Sequence, residues 1–136
     1  MQVKPLDADD FDAVLPRVRA DDMGIDPEVG EWVGAYDDDG ELLGVARITE
    51  AGDGRTIDDV WVFPEQRRRG VAGALIAHAG PPLWLICDDD MIGFYQRRGF
   101  ALAEPADFPA ALAALYGARG EWPRASDHVH HAMVLR

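Results

Sequence analysis

Three consecutive runs of β-type residues, joined by short glycine-containing segments, constrain the fold of this chain more than any other feature. The runs are EWVGAY (31–36), ELLGVARIT (41–49) and RTIDDVWVF (55–63). The joining segments, DDDG and EAGDG, contain the Asp-Gly and Gly-Asp-Gly sequences that favour tight turns between antiparallel strands. The pattern therefore predicts an antiparallel meander of three strands.

Helical and strand patterns continue on both sides of the meander. MQVKPL predicts a first strand, and DADDFDAVLPRVRA predicts a helix with Asp7 as its N-cap and a kink or restart at Pro16. After the meander, the pattern predicts a helix from Arg69 to Ala79 and a central strand, LWLIC, covered on both faces.

Three further elements complete the predicted order. DDDMIGFYQRRGF predicts a helix with Asp89 or Asp90 as N-cap, arginines in the last turn and Gly99 as C-terminal cap. FPAALAALYGA predicts a short helix, and HVHHAMVLR a last strand. The order β-α-βββ-α-β-α-β-(α)-β is that of a mixed α/β layer structure.

Composition narrows the class of protein. A length of 136 residues predicts one domain, residues 1–136, and a net charge of −12 argues against nucleic acid or an anionic membrane as a partner. The single cysteine, Cys87, excludes a disulfide framework and a metal site built on cysteine pairs; its apolar neighbours predict a buried, inert thiol. Without an N-terminal apolar signal or a long apolar run, we expect a cytoplasmic protein.

The stretch PEQRRRGVAGAL, residues 64–75, places three adjacent arginines before a helix in an otherwise acidic chain. The N-terminus of a helix presents unpaired N–H groups, and Gly70, Ala72 and Gly73 allow an anion to approach the backbone. Arginine side chains add charge around such a site. The segment predicts a pyrophosphate site, although it matches neither a Walker loop nor a dinucleotide-binding fingerprint.

Two motifs in the right order resemble those of the GCN5-related N-acetyltransferase (GNAT) family. RRRGVA resembles the family's Arg/Gln-x-x-Gly-x-Gly/Ala motif, and FYQRRGF, residues 94–100, is similar to its second motif. Asp88 stands seven residues before Tyr95, where many members carry an asparagine, and Met133 in the last strand also fits. The resemblance implies the GNAT-like fold, in which the antiparallel meander is followed by a splayed β-α-β-α-β half that binds the cofactor.

The same resemblance implies acetyl-CoA, or another acyl-CoA, as cofactor. Its pantetheine arm would bond to the exposed backbone of Val60, Trp61 and Val62 like an added strand, and Asp88 would touch that arm. Its pyrophosphate would lie on the backbone amides of the turn and helix start, those of Arg67, Arg68, Arg69, Gly70, Val71, Ala72 and Gly73.

Transfer of an acyl group to an amine needs a neutral amine, a polarised carbonyl and a protonated leaving sulfur. The backbone N–H of Val62 is the candidate for polarisation, and Tyr95 resembles the family's general acid. Asp58 is the preferred general base, with Asp59 and a chain of waters as alternatives. On a regular strand Asp58 and Asp59 point to opposite faces, so only one can face the acceptor unless a bulge intervenes.

No metal site is predicted, because His128, His130 and His131 lack further ligands at a suitable spacing. The favoured function is an acyl-CoA-dependent N-acyltransferase that acts on a small-molecule or peptide amine as a monomer or homodimer. A non-catalytic acyl-CoA-binding module and a nucleic-acid-binding domain are the alternatives. We expect a cationic acceptor, since Asp21, Asp22, Asp26, Glu28 and Glu31 cluster where the resemblance places its entrance.

Overall fold

The strands and helices follow the order that the sequence predicts. The computed structural model describes residues 1–20, 30–52, 54–118 and 130–136, without the side chains of residues 105, 115–118 and 130. The elements are β1 (Gln2–Pro5), α1 (Ala8–Ala20), β2 (Glu31–Tyr36), β3 (Leu42–Ala51), β4 (Gly54–Val62), α2 (Val71–Ala79), β5 (Leu83–Asp88), α3 (Ile92–Gln96), β6 (Ala101–Leu102), α4 (Ala110–Ala118) and β7 (His130–Leu135).

The strands form a mixed sheet in the order β1-β2-β3-β4-β5-β7-β6. The β1–β2, β2–β3, β5–β7 and β6–β7 pairs are antiparallel, whereas β4 and β5 pair in parallel through Thr56 and Trp84. The predicted fold class, a mixed α/β structure built on an antiparallel meander, is confirmed. The predicted splay of the cofactor half stays a prediction.

The chain divides into two compact units, and β4 contributes to both. The first comprises Met1–Thr49 and Ile57–Ala79, and the second comprises Glu50–Thr56 and Gly80–Arg136. A cluster of buried side chains lies in each unit: Val14, Val18, Val45 and Trp61 in the first, and Phe108, Leu112 and Ala132 in the second. In the described parts of the chain, no helix has the length and apolar character needed to cross a membrane.

The hairpin between β2 and β3 shows why the DDDG segment turns the chain. The Oδ1 atom of Asp37 accepts hydrogen bonds from the amides of Asp39 and Glu41, each at 2.9 Å. Gly40 has a φ of +83°, a conformation that a glycine adopts without steric strain. The predicted turn is therefore present, fixed by an aspartate at one end and a glycine at the other.

Two helices differ from the sequence prediction at a proline and at a glycine. Helix α1 does not restart at Pro16 but continues from Ala8 to Ala20, and the kink that the sequence offers as the alternative stays a prediction. Pro16 and Asp12 are both exposed, so the Asp12 carbonyl that loses its helical partner can face water. Helix α2 begins at Val71 instead of Arg69, because Gly70 has a φ of +78° and cannot be helical.

The ends of α3 are only partly as predicted. Met91 occupies its N-cap position, and Asp89 lies in a preceding 3₁₀ turn, so the prediction that Asp89 or Asp90 caps this helix was wrong. At the other end, Phe100 N–H donates to the Tyr95 carbonyl and Gly99 N–H donates to the Gln96 carbonyl, both at 3.1 Å. With a φ of +93° at Gly99, this is the Schellman arrangement, and the predicted glycine cap is confirmed.

Candidate active site

The end of β4 directs backbone groups toward the edge of the strand that faces away from β3. Phe63 N–H donates to the carbonyl of Leu43 in β3 at 3.1 Å. Successive residues of a strand point their N–H and C=O groups to opposite edges, so Val62 points its own away from β3. The Val62 carbonyl instead accepts a hydrogen bond from Arg67 Nε at 3.0 Å. Trp61, by contrast, is buried and packs its side chain into the core of the first unit.

The turn from β4 into α2 contains two residues with left-handed backbone. A 3₁₀ turn, Pro64–Gln66, leads into Arg68 with a φ of +65° and Gly70 with a φ of +78°. A left-handed conformation costs about 1–2 kcal/mol in a residue that carries a Cβ atom, so Arg68 is held there by the surrounding turn. Turns of this kind bring backbone amides together into concavities that bind anions.

Helix α2 presents amides at its start that have no partner within the helix. Its first helical hydrogen bond runs from Ala74 N–H to the Gly70 carbonyl at 3.0 Å, so the amides of Val71, Ala72 and Gly73 precede the first helical bond. The side chains of Val71 and Ala72 are buried, which leaves only their backbone to face a ligand. The nine residues of α2 align their dipoles so that the N-terminus carries partial positive charge.

Space lies in front of the two glycines of this segment. A Cβ atom added to Gly70 or to Gly73 would meet no protein atom within 4 Å, apart from the chain neighbours and the local helix backbone. Gly44 differs: a Cβ atom there would lie 2.8 Å from the Trp61 carbonyl oxygen. Gly44 therefore serves close packing of β3 on β4, whereas Gly70 and Gly73 leave room that a bound anion could fill.

Arg67, Arg68 and Arg69 are exposed around this turn, as the sequence predicts. The Arg67 side chain turns back onto the strand end, and the Arg69 guanidinium donates a hydrogen bond to the side chain of Gln66. Two of the three arginines are thus oriented by neighbouring groups of the same turn. The turn and the helix start fit a pyrophosphate, because they offer backbone amide donors, open space and positively charged side chains.

The candidate base lies farther back on β4, in contact with a buried arginine that the sequence analysis missed. Arg47 Nε lies 3.0 Å from Asp59 Oδ2, and Arg47 Nη2 lies 3.9 Å from Asp58 Oδ2. Asp59 has a φ of +53°, which interrupts the alternation of the strand. As a result both carboxylates contact one guanidinium instead of pointing to opposite faces. The sequence signal that could have indicated this contact is an arginine within the mostly apolar run of β3.

Tyr95 and Asp88 lie in the second unit. The partly buried Tyr95 ring packs edge-on between two aromatic rings, with centroid distances of 5.0 Å to Phe94 and 5.6 Å to Phe100. Asp88 is exposed and is the last residue of β5, where it pairs with His130. The aromatic pair of the second motif is therefore present, and the roles predicted for Tyr95 and Asp88 stay predictions.

Other groups that the sequence singled out have structural roles. Cys87 is buried, as predicted; burial, followed by the charges of the neighbouring Asp88, Asp89 and Asp90, raises its pKa to about 11. Its Sγ atom lies 3.6 Å from Sδ of the fully buried Met133. The His131 ring bonds to the Asp89 carboxylate, and no group of three or more potential metal ligands occurs among the described residues.

Some predicted residues lie outside the part of the chain that the structure describes. Asp21, Asp22, Asp26 and Glu28 of the acidic segment belong to this set, as does His128. The side chain of His130 is likewise not described. Glu31, the last acidic residue of the segment, is described and is exposed at the start of β2.

Comparison with solved structures shows similarity across nearly the whole chain. An N-acetylglutamate synthase from Neisseria gonorrhoeae, complexed with coenzyme A and N-acetyl-glutamate, is 17% identical with a TM-score of 0.75; the match covers 99% of this chain and 35% of that one. Rv2747 from Mycobacterium tuberculosis, in complex with CoA and NLQ, is 16% identical with a TM-score of 0.68 over 99% and 98% of the two chains. This chain therefore spans about a third of the length of the gonococcal protein.

A third similar structure is the ribosomal-protein-S18-alanine N-acetyltransferase from Escherichia coli, which is 18% identical with a TM-score of 0.61 over 98% of this chain and 92% of that one. Among curated protein sequences, none matches this chain significantly. The family model described as "Acetyltransferase (GNAT) domain" matches residues 28–102, more than half of the 136 residues. The match includes β4, the arginine turn, α2 and both motifs of the sequence, and the chain belongs to the GNAT family of acetyltransferases.

Proposed function

We propose that this protein is an acyl-CoA-dependent N-acyltransferase that transfers an acetyl group from acetyl-CoA to a primary amine. The observation that carries the proposal is the segment from Val60 to Gly73. It combines a strand edge, a turn with two left-handed residues, a helix start whose first amides precede the first helical bond, and open space above two glycines. Solved relatives complexed with coenzyme A support the same cofactor here.

The cofactor is assigned to these groups by their chemistry. The pyrophosphate accepts hydrogen bonds from the amides of Arg67 to Gly73 and lies near the exposed arginine side chains, because both groups favour a doubly charged anion. The pantetheine amides form hydrogen bonds with the backbone of Val60 and Val62, whose N–H and C=O groups point away from β3. Trp61, between them, holds the strand in place through its buried side chain. Asp88 contributes at the end of β5, as the second motif implies.

The acetyl thioester is the group that the cofactor supplies, and three groups of the chain act on the transfer. Asp58 accepts a proton from the acceptor ammonium, so that the neutral amine can attack the thioester carbonyl. The Val62 N–H stabilises the charge that develops on the carbonyl oxygen. The carbon–sulfur bond then breaks as Tyr95 donates its phenolic proton to the departing sulfur, and the proton that the attacking nitrogen loses restores the Tyr95 phenol. The balance is one amide and one thiol formed from one amine and one thioester.

The acceptor is proposed to be cationic: a polyamine, an aminoglycoside-like amine or a lysine side chain. The names of the solved relatives point to different acceptors, from N-acetylglutamate synthesis to the alanine of a ribosomal protein, so this assignment rests on the charge of the present chain. A net charge of −12 and the acidic segment that ends at Glu31 attract ammonium groups and repel anions. The apparent KM of a cationic acceptor should then rise with salt, because added salt shortens the Debye length.

The alternative is a non-catalytic acyl-CoA-binding module. Contacts of both Asp58 and Asp59 with Arg47 favour it, since both carboxylates then have a structural partner. The two functions share the cofactor site and differ in turnover. We propose to measure thiol release from acetyl-CoA with spermidine, kanamycin, a lysine-containing peptide and L-glutamate, and CoA affinity by calorimetry. Amine-dependent thiol release supports the enzyme, whereas CoA binding without release with any amine supports the module.

A further inference from the structure

Two polar side-chain atoms on neighbouring strands are buried without a hydrogen-bond partner in the part of the chain that the structure describes. They are the indole Nε1 of Trp32 in β2 and the hydroxyl Oγ1 of Thr49 in β3. Thr49 is 5% exposed, and the Trp32 ring is partly buried with its nitrogen shielded from water. A buried polar group without a partner costs free energy, and most such groups in native proteins are paired. The two atoms therefore point to a partner that the described residues do not supply.

Both groups lie on the face of the sheet that α1 covers. Trp32 packs against the buried cluster of the first unit, and its ring meets Phe11 of α1 edge-on at a centroid distance of 5.4 Å. Trp32 is in register with Arg47, and Thr49 lies two residues farther along β3, so the three side chains share one face. Diagonal neighbours of this kind are about 7–8 Å apart, within reach of an aromatic side chain. One small group of a ligand can therefore contact both Trp32 and Thr49.

Gly30 leaves the room that the Thr49 hydroxyl occupies. A Cβ atom added to Gly30 would lie 2.5 Å from Thr49 Oγ1, so a larger residue would displace the hydroxyl. The φ of +81° at Gly30 also favours glycine. Gly30 follows the acidic segment directly in the sequence, at the expected entrance of the acceptor. The unpaired hydroxyl thus lies beside that entrance.

The proposed base lies near the same two groups. Asp58 Oδ2 is 3.9 Å from Nη2 of Arg47, whose side chain shares its face of the sheet with Trp32 and Thr49. Strands β2, β3 and β4 are neighbours in the sheet. Across the strands, Asp58 is therefore one to two strand spacings from Thr49 and Trp32, or about 5–10 Å. An amine at Asp58 reaches both groups if it carries a second polar atom a few bonds away.

We infer that Trp32 and Thr49 form an acceptor-specificity site, which binds a hydroxyl or carbonyl oxygen that the amine carries a few bonds from its reacting nitrogen. The inference rests on the proposed function, in which that nitrogen lies at Asp58. An indole N–H only donates hydrogen bonds, so its partner has to be an acceptor. The protonated nitrogens of a polyamine also only donate, and they would leave the indole unpaired. The site therefore selects oxygen-bearing amines over polyamines.

The test uses the full chain, acetyl-CoA and pairs of amines that differ in one oxygen. Amino alcohols with chains of three to six carbons are compared with the alkylamines in which a methyl group replaces the hydroxyl. For the chain length that fits, thiol release should give a kcat/KM about 10-fold or more higher for the amino alcohol, because the alkylamine leaves buried groups unpaired. In the panel named above, spermidine should be slower than kanamycin or the lysine-containing peptide. The faster of those two distinguishes a hydroxyl from a carbonyl as the preferred oxygen.

Substitutions assign the preference to the two residues. Trp32→Phe removes the donor, and Thr49→Val replaces the hydroxyl by a methyl group of similar size. Each should lower kcat/KM for the amino alcohol by about 5-fold or more, mainly through KM, and leave that of the alkylamine nearly unchanged. Thr49→Ser keeps the hydroxyl and should keep the preference. Trp84→Phe, the same change at a partly buried tryptophan of the second unit, is the matched control and should also keep it.

The indole N–H resonance of Trp32, assigned by its loss in Trp32→Phe, gives a readout that needs no turnover. With CoA bound, the amino alcohol should shift this ¹H–¹⁵N signal, and the alkylamine should leave it nearly unmoved. A shift without any thiol release would support the oxygen site and contradict the proposed enzyme. Thiol release at equal rates within every pair, with an unmoved indole signal, would overturn the inference and leave the enzyme standing.

Stability without an acceptor gives a second check. If the Thr49 hydroxyl is unpaired until the acceptor binds, Thr49→Val removes nothing that the acceptor-free chain uses. Its urea unfolding midpoint should then stay the same or rise. A clear fall, or failure of the variant to fold, would mean that another group of the chain already pairs the hydroxyl, and the inference would be wrong.

Discussion

Gly73 offers the sharpest test of the cofactor site, because the structure predicts opposite effects on stability and on CoA affinity. A Cβ atom at this position meets no protein atom within 4 Å, and the residue lies in the first turn of α2. Replacing a helical glycine by alanine stabilises a protein by roughly 0.5–1 kcal/mol. A glutamate in the first turn of a helix is favourable by about 0.3–1 kcal/mol through the helix dipole. Neither Gly73→Ala nor Gly73→Glu should therefore lower the unfolding midpoint in urea.

CoA affinity should respond in the other direction. If the pyrophosphate lies over Gly73, a glutamate places a carboxylate about 4 Å from it. Two like charges at that distance repel by about 1 kcal/mol in bulk water and by about 4 kcal/mol near a protein surface. Since 1.4 kcal/mol is a factor of ten in an equilibrium constant, Kd should rise between roughly 5-fold and 1000-fold. Gly73→Ala should weaken binding less, because it adds bulk and no charge.

Isothermal titration calorimetry with CoA measures the effect directly. Ala77→Glu is the matched control: it adds the same negative charge to the same helix, at an exposed position in the last turn. Its Kd should stay close to that of the parent chain. If Gly73→Glu binds CoA as tightly as Ala77→Glu does, the pyrophosphate does not lie on the start of α2, and the assignment of the arginine turn fails with it.

Three further outcomes follow from other contacts. Tyr95→Phe keeps the ring between its aromatic neighbours and removes the phenolic proton, so kcat should fall about 100-fold or more in the thiol-release assay; unchanged turnover would mean that Tyr95 only packs. Gly44→Ala should lower the urea unfolding free energy by roughly 1–3 kcal/mol, because its Cβ atom would lie 2.8 Å from the Trp61 carbonyl; a neutral effect would mean that β3 moves freely there. Burial raises the pKa of Cys87 to about 11 and that of Tyr36 to about 12, so both favour the protonated, neutral form when folded. The stability that the two neutral groups contribute is complete below their ordinary pKa values, 9.0 for Cys87 and 10.0 for Tyr36, and is lost as pH rises through about 11 and about 12. Urea unfolding midpoints measured from pH 8 to 12 should therefore fall, and Tyr36→Phe should make the fall above pH 10 smaller.

The parts of the fold that the sequence predicts well depend on local signals. The turn between β2 and β3 is specified by Asp37 and Gly40 within a few residues, and its hydrogen bonds are those of such a turn. The Gly99 cap is likewise local, since the glycine, the two carbonyls and the following phenylalanine lie within six residues. The strand, turn and helix around the proposed pyrophosphate site are also predicted from local signals, because the arginines and the small residues are contiguous in the sequence.

The errors have physical causes within a few residues of each boundary. Helix α2 starts at Val71, two residues later than the sequence predicts, because Gly70 adopts a left-handed φ that a helix cannot contain. The capping prediction for α3 failed because a 3₁₀ turn precedes the helix, and Asp89 bonds to His131 of β7 instead. That partner lies 42 residues away in the chain. The role of Asp89 thus depends on β7, a strand that lies too far along the sequence for a local pattern to include.

The same limit explains why the base was ambiguous in the sequence. Alternation along a strand is a local rule, and it placed Asp58 and Asp59 on opposite faces. Arg47 overrides the rule from the neighbouring strand, because a buried guanidinium gains from a second carboxylate and Asp59 tolerates the backbone conformation that supplies it. The contacts of the candidate base are therefore set by β3 and β4 together. Substitutions at position 47 are expected to alter the chemistry assigned to position 58, even though neither motif of the family includes that arginine.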